Sequence, residues 1–325
     1  MATNLDRHAF HNILVDVDAL EMRHSALNAA IGLARHFRSK VKIVDCLGAV
    51  PKKARSFITP QLEQELVDDR RADLDRLAYW HCHGLSVETA VLRGIAGVAL
   101  VQEVRRSGHD LLIRAYDRDP PGNAPTVSPI DLCLLRTCPC PIWLVRGHGG
   151  KSTPHIVAAV DTSTDDPDEQ ELNRNIVEQA AFLRDARRGS LTVLHAWRVH
   201  GEHLLQPQMA PHVYADMLLR TERTAYERTA ALLLSCGDRL HDARVEIVQG
   251  EPPEVIPATA QELHADVLVM GSMSRSGLAG FVMGNTAERV LRLWPGSVMV
   301  VKPLEVVSSR AIEETPSELL QYGGW

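Results

Sequence analysis

Short apolar segments alternate along the chain with longer segments in which apolar residues recur at helical spacing. Residues 265–270, ADVLVM, have the β-branched composition of a buried strand. The following segment 286–294 places its apolar residues on one helical face: Ala287, Val290, Leu291 and Trp294. Each half of the chain repeats this alternation up to a fifth strand. The pattern therefore predicts an α/β protein with doubly wound, parallel, five-stranded sheets covered by helices on both faces.

The two halves of the chain also match each other in sequence register. Residues 12–19 and 155–163 both form an apolar strand that ends in aspartate, and this matches Asp18 with Asp161. Residues 94–145 match residues 250–301 without a gap. Such internal similarity is typical of a duplicated domain.

This repeat predicts two tandem domains. We place the first at residues 1–150 and the second, which includes a C-terminal tail, at residues 151–325. The linker between them, residues 146–154, contains the Gly, Ser and Pro typical of loops. In the second domain, residues 198–211 are predicted to form a loop or a lid before a long helix from about residue 212 to residue 236.

Charge and composition exclude several classes of partner. The net charge is −6 and the pI about 6.2, so the chain lacks the basic surface that neutralises a nucleic-acid backbone. No apolar run reaches the roughly 18 residues of a membrane span, and residues 1–20 do not resemble a secretory signal. We therefore expect a cytoplasmic protein without nucleic-acid or membrane partners.

The cysteines are scattered rather than arranged as a disulfide framework, so we expect reduced thiols. Two local clusters contain soft metal ligands, His81-Cys82-His83 and the group Cys133, Cys138 and Cys140. Neither cluster has the paired CxxC spacing of a zinc site, and we predict no metal.

The segment 271–286, GSMSRSGLAGFVMGNT, joins a predicted strand to a predicted helix. Glycine lets a backbone approach a ligand closely, and the free amides of a helix N-terminus attract anions. Gly284, Asn285 and Thr286 are thus placed to receive phosphoryl oxygens. The structural alternative is that Asn285 caps the helix, with Glu288 completing a capping box.

Asp161 lies at the carboxyl end of a predicted strand, where open α/β sheets bind their ligands. Its alternative role is that of a solvated carboxylate that caps the next helix.

Three segments together resemble the universal stress protein family, in its tandem, two-domain type. They are Val160-Asp161-Thr162-Ser163, the segment VLVMGSMSRSGLAGFVMGNTAERVL and the closing PGSVMVVKP. The resemblance covers residues 10–146 and 153–303. It implies the fold shared by universal stress proteins and adenine nucleotide alpha hydrolases, with the two domains forming a pseudo-dimer that associates again through the last strand of each domain.

ATP-binding members of this family have the pattern Gly, two residues, Gly, nine residues, Gly and then Ser or Thr. Gly271 and Gly284 fit the outer positions, whereas Ser274 stands at the middle glycine and Asn285-Thr286 replaces the simple Gly-Ser/Thr pair. The resemblance implies that the second domain binds ATP, with or without Mg²⁺. The implied site consists of Val160, Asp161, Thr162, Val193, Met270, Gly271, Ser272, Ser274, Arg275, Gly284, Asn285 and Thr286.

Within that site the resemblance implies a role for each part. Val160, Asp161 and Val193 would lie by adenine, and Met270 and Gly271 by the ribose. The phosphates would lie by Gly284, Asn285 and Thr286. Arg275 would reach the polyphosphate, or else is a solvent-facing loop arginine.

The first domain departs from the family pattern. Its residues at the equivalent places are Ala115, Arg118, Ser128, Pro129 and Ile130. Proline has no backbone N–H, so Pro129 removes an amide that an anion would use. We predict that this domain does not bind ATP in the family manner.

The sequence favours binding over turnover. It contains no GxxxxGKS/T motif, and residues 272–285 include no Asp, Glu, Lys or His that would act as a general base. A nucleotide sensor or signalling module is the preferred function, and a slow ATPase or a self-phosphorylating protein is the enzymatic alternative.

Two further alternatives need no nucleotide. One is assembly through the last strands, residues 141–145 and 297–301. The other is a carrier of an apolar small molecule held by Trp143, Trp197 and Phe281, whose ordinary role would be core packing.

Overall fold

The computed structural model describes residues 10–48, 59–116, 127–147, 153–199, 201–272 and 284–303. It divides the chain into two compact units, and the described residues up to 147 belong to the first and those from 153 to the second. Several residues singled out by the sequence lie outside the described residues: Arg118, Ser274, Arg275, Phe281 and the tail beyond residue 303.

The first unit alternates strands with helices in the predicted order. Its strands are β1 (Asn12–Asp16), β2 (Lys40–Leu47), β3 (Val87–Arg93), β4 (Leu111–Ala115) and β5 (Ile142–Val145). Its described helices are α1 (Ser25–Phe37), α2 (Pro60–His81), α3 (Ala96–Ser107) and α4 (Pro129–Thr137). The strands pair in parallel in the order β3-β2-β1-β4-β5.

The second unit repeats this architecture. Its strands are β6 (His155–Val160), β7 (Ser190–Trp197), β8 (Arg244–Gln249), β9 (Val267–Gly271) and β10 (Ser297–Val301). Its described helices are α5 (Pro167–Arg187), α6 (Glu202–Leu205), α7 (Pro211–Ser235), α8 (Pro252–Glu262) and α9 (Asn285–Leu293). The parallel order is β8-β7-β6-β9-β10, and the predicted doubly wound α/β fold is confirmed for both halves.

The core of each unit lies between the sheet and its helices. Leu111, Leu112 and Ile113 of β4 are fully buried, as are the central residues of β6 and β9. The predicted apolar face of α9 is confirmed, because Ala287, Val290, Leu291 and Trp294 are all buried. Each large apolar side chain buried in this way contributes roughly 1.5–3 kcal/mol.

The connection that follows β7 is partly helical. The predicted loop or lid contains the short helix α6 and a 3₁₀ turn at Gln206–Gln208, and the long helix predicted after it is confirmed as α7. In the part of the chain that the structure describes, no helix has the length and apolarity needed to cross a bilayer.

Candidate functional site

The carboxyl ends of β6 and β9 lie side by side at one edge of the second sheet. Ala159 of β6 pairs with Met270 of β9, and Asp161 and Ser272 each lie two residues further along. The N–H of Gly284 donates to the carbonyl of Ser272 at 3.4 Å, which brings the N-terminus of α9 to the same edge. The two segments singled out by the sequence, 160–163 and 284–286, are thus both linked to these strand ends.

Helix α5 holds the turn that follows β6. The Asp161 N–H donates to Asn173 Oδ1 at 3.0 Å, and Asn173 Nδ2 donates to the Asp161 carbonyl at 2.7 Å. The carboxylate of Asp161 accepts from the N–H of Ser163 at 3.1 Å and from its hydroxyl at 2.5 Å. The cap of α5 is Asp166, so the alternative role of Asp161 as a helix cap is wrong.

Helix α7 and strand β7 hold the other side of this turn. The Thr162 hydroxyl lies 2.9 Å from the hydroxyl of Thr229, which donates to the Ala225 carbonyl at 2.8 Å. Arg228 Nη1 donates to the carbonyls of Thr162 and Ser163 at 3.4 and 3.1 Å. The backbone at the end of β6 is therefore fixed by two helices.

His195 of β7 lies beneath the turn and is 2% exposed. Its Nδ1 is 3.1 Å from the Val160 carbonyl and 3.4 Å from the Thr162 N–H. Burial lowers the pKa of His195, although the Val160 carbonyl and Asp161 oppose this shift. The ring is therefore neutral at pH 7, and its tautomer decides whether Nδ1 donates to Val160 or accepts from Thr162.

Gly271, at the end of β9, packs against α5. A Cβ atom at this position would lie 2.8 Å from Leu172 Cδ2, closer than real Cβ atoms come, and 3.1 Å from Ile176 Cδ1, which is tighter than most real Cβ contacts. Close helix packing therefore explains this glycine without any ligand.

Among the residues that the structure describes, no side chain caps the N-terminus of α9. Gly284 is the N-cap residue, with φ −61° and ψ 142°, and the first helical residues, Asn285 and Thr286, are exposed. The alternative role of Asn285, as the N-cap residue of a capping box with Glu288, is wrong, because Asn285 is already the first residue of the helix. Glu288 instead accepts from Arg292 Nη2 at 2.7 Å.

Other implied site residues lie deeper in the sheet. Val193 pairs with Ala158 in the middle of β7 and is fully buried, two residues before His195, which pairs with Val160 at the end of β6. The side chains of Val160 and Met270 are also buried, as is Ser272, whose N–H donates to the Val301 carbonyl at 3.1 Å. Ser274 and Arg275 lie outside the described residues.

Sequence reasoning missed the residues that hold the turn: Asn173, His195, Arg228 and Thr229. Asn173 follows Asp161 by twelve residues and Thr229 is more distant still, so neither belongs to a local motif. One of them could have been found from the repeat, because alignment of β2 with β7 places His195 at the position of Asp45. Asp45 Oδ2 likewise accepts the N–H of Ala19, the residue that follows Asp18, at 3.0 Å.

The family model for universal stress proteins matches residues 9–146 and 153–302. The chain therefore belongs to the universal stress protein family and contains two of its domains in tandem, which confirms the resemblance found in the sequence.

Known relatives align with this chain over most of its length. Universal stress protein E of Photorhabdus laumondii subsp. laumondii is 25% identical over 304 residues, which cover 90% of this chain and 95% of the relative. Universal stress protein E of Escherichia coli K12 is 25% identical over 303 residues, covering 90% and 94%.

Solved structures share the fold across both domains. A functionally unknown protein from Pseudomonas aeruginosa PAO1 has a TM-score of 0.69 at 24% identity, covering 97% of this chain and 98% of its own. A universal stress protein from Archaeoglobus fulgidus DSM 4304 has a TM-score of 0.62 at 16% identity, covering 90% and 98%.

Proposed function

We propose that the second domain binds an adenine nucleotide and that this stress-response protein acts as a nucleotide sensor. The observation that supports the proposal most is the uncapped N-terminus of α9, next to the turn that presents Asp161. In this proposal the base and ribose lie by Asp161 and Gly271, and the phosphates lie by Gly284, Asn285 and Thr286.

Electrostatics favour an anion at α9. The first N–H groups of a helix have no partner within the helix, and together they carry a partial positive charge. Asn285 and Thr286 are exposed, and no side chain of the described residues caps them, so their N–H groups can donate to phosphoryl oxygens. An anion at such a terminus gains roughly 0.3–2 kcal/mol from the helix dipole alone.

The turn after β6 supports the proposal in a second way. Asn173, His195 and Arg228 already fix its backbone without a ligand. A site whose backbone is held in place loses little conformational entropy when a ligand binds, and this raises its affinity.

Binding is favoured over turnover at this edge. The Asp161 carboxylate is engaged by Ser163, and His195 is buried beneath the turn. If Mg²⁺ accompanies the phosphates, the carboxylate of Asp161 and the hydroxyl of Thr286 are oxygen groups of the kind that this ion prefers. Weak ATPase activity or self-phosphorylation is the enzymatic alternative. Self-association through β5 and β10 stays a prediction.

The proposal is tested by titrating Mg-ATP and Mg-ADP into the nucleotide-free Gly284→Asp variant. Aspartate is a favoured N-cap residue, and the φ and ψ of Gly284 suit any residue, so the backbone can accept the substitution although Gly284 is buried. Its carboxylate would meet the phosphates, and we expect the Kd to rise at least about 100-fold through like-charge repulsion.

Two controls separate charge from capping. Gly284→Ser caps the same helix without a charge and should weaken binding far less than Gly284→Asp. Ala210→Asp adds the same carboxylate at the exposed, uncapped N-terminus of α7 and should leave affinity unchanged. Equal affinities of the wild-type and Gly284→Asp proteins, or no binding by the wild type, would contradict the proposal.

A further inference from the structure

The first domain has a buried ion-pair cluster at the edge that corresponds to the candidate site. Arg114 of β4 is 5% exposed, and its Nε donates to Asp131 Oδ1 of α4 at 2.9 Å. Its Nη1 donates to Asp16 Oδ2 at the end of β1. Asp16 and Asp131 are buried to a similar extent, so all three charges are removed from water.

Asp131 also closes the N-terminus of α4. Its Oδ2 accepts from the Ser128 N–H at 3.3 Å and from the Ser128 hydroxyl at 2.6 Å. The Asp131 N–H in turn donates to Ser128 Oγ at 3.1 Å. Pro129, the first residue of the helix, has no N–H to offer. The protein's own groups thus occupy the N–H groups of Ser128 and Asp131, two of the donors that would attract an anion at such a terminus.

The repeat relates this cluster directly to α9. Ser128 and Gly284 are the N-cap residues of matching helices, and Asp131 and Ala287 are both the third helical residue. Arg114 corresponds to Met270, since Leu111 pairs with β1 as Val267 pairs with β6. The second domain therefore has neither the carboxylate nor the guanidinium at these positions.

The surrounding charges also disfavour a second anion in the first domain. Arg70 of α2 donates to Asp18 at 3.2 Å and to Asp45 at 3.0 Å, on the same edge of the sheet. Four carboxylates, those of Asp16, Asp18, Asp45 and Asp131, thus share two guanidinium groups. Among these described side chains the carboxylates outnumber the guanidinium groups, and this disfavours an incoming phosphate.

We propose that the Asp131 carboxylate is the built-in anion of the first domain and, with Arg114, determines that this domain accepts no ligand phosphate. The functional contrast with α9 rests on the proposed function. The claim that the Asp131 carboxylate occupies an anion position rests only on the contacts of Asp131. Removing the carboxylate should create a site for a small anion between Arg114 and the N-terminus of α4.

The test is the thermal unfolding of full-length Asp131→Ala in sodium formate and in sodium chloride of equal ionic strength. Formate is the smallest carboxylate, and the wild-type protein corrects for general salt effects. We expect the variant to have a lower Tm than the wild type in chloride. Formate at ten times its Kd should then raise the Tm of the variant about 3 °C more than that of the wild type.

Two control variants identify the site. In Asp131→Asn the amide fills the same space, so formate should give no extra shift. In the double variant Arg114→Met, Asp131→Ala, the cation is missing and the formate effect should disappear. A formate shift in Asp131→Ala no larger than in the wild type, or one retained in the double variant, would overturn the proposal.

A folding defect leaves the test decisive. If Asp131→Ala does not fold in chloride, the protein is refolded from urea into each salt, and recovery in formate alone supports the proposal. Failure in both salts overturns it. None of these measurements involves nucleotide, so their outcome is independent of the Gly284→Asp titration.

Discussion

At the scale of residues, single polar side chains decide what each matching position in the two domains does. Asp45 and His195 occupy equivalent strand positions, and both face the backbone N–H of the residue that follows a strand-end aspartate. Asp45 is held by Arg70, whereas His195 is neutral and buried. The same turn is therefore fixed by charge in the first domain and by neutral hydrogen bonds in the second.

Glu103 of α3 is another buried charge that distinguishes the first domain. It accepts from Ser107 at 2.8 Å and also from Arg106, and it lies 2.8 Å from Lys42 Nζ. Burial by itself would raise the pKa of Glu103, but the hydrogen bonds from these three residues outweigh it and lower the pKa to about 2. The second domain has Thr259 at the matching position.

Replacement of Glu103 by Gln should therefore cost stability in a pH-dependent manner. A carboxyl with a lowered pKa stabilises the folded state above its ordinary pKa of 4.5, and this contribution disappears as the pH falls towards 2. We expect Glu103→Gln to lose about 3 kcal/mol at pH 7 and much less near pH 3, measured by urea unfolding. Glu88→Gln, which removes the exposed partner of Lys42, is the control and should change little. A loss that is the same at both pH values would contradict this account.

At the scale of elements, α7 contributes to the candidate site although most of its surface is exposed. Its buried residues among those described are Ala225 and Thr229, and Thr229 contacts the turn after β6 directly. The helix therefore connects the surface of the second domain with the backbone that presents Asp161.

Substitution of Thr229 by Val tests this connection. Valine has the same shape but leaves the buried Thr162 hydroxyl without its acceptor on α7, at a cost of about 1–3 kcal/mol. We expect lower stability and a several-fold weaker nucleotide affinity, measured by urea unfolding and calorimetric titration. Thr224→Val is a matched control, since Thr224 bonds its own helix in the same way but is exposed. Equal effects of the two substitutions would show that α7 does not support the turn.

Strands and helices were predictable from sequence where the spacing of apolar residues alone determines their type and their buried face. The predicted strand 297–301 coincides with β10, and the predicted apolar face of α9 is buried. The cap of α9 was not predictable, because the helix begins at Asn285 itself, which leaves Gly284 as the N-cap residue. The contacts of His195 and Arg114 join strands that are distant in the sequence, so no local pattern specifies them. Resemblance to the family supplied the candidate residues, but not the packing reason for Gly271.

At the scale of the whole molecule, a duplicated fold has two edges with opposite chemistry. The first edge is filled by the Asp131 carboxylate and its partners, and the second has an exposed helix terminus that no described side chain caps. Each domain retains the same strand order, so the difference resides in side chains rather than in topology. The tandem chain should therefore bind nucleotide in one domain and use the other as a structural unit.

The number of ATP molecules bound per chain tests this account most directly. Equilibrium dialysis of labelled Mg-ATP against the full-length protein, at saturating nucleotide, should give one molecule per chain for the wild type and none for Gly284→Asp. Two molecules per chain would contradict the built-in anion of the first domain, and none for the wild type would contradict nucleotide binding by the second.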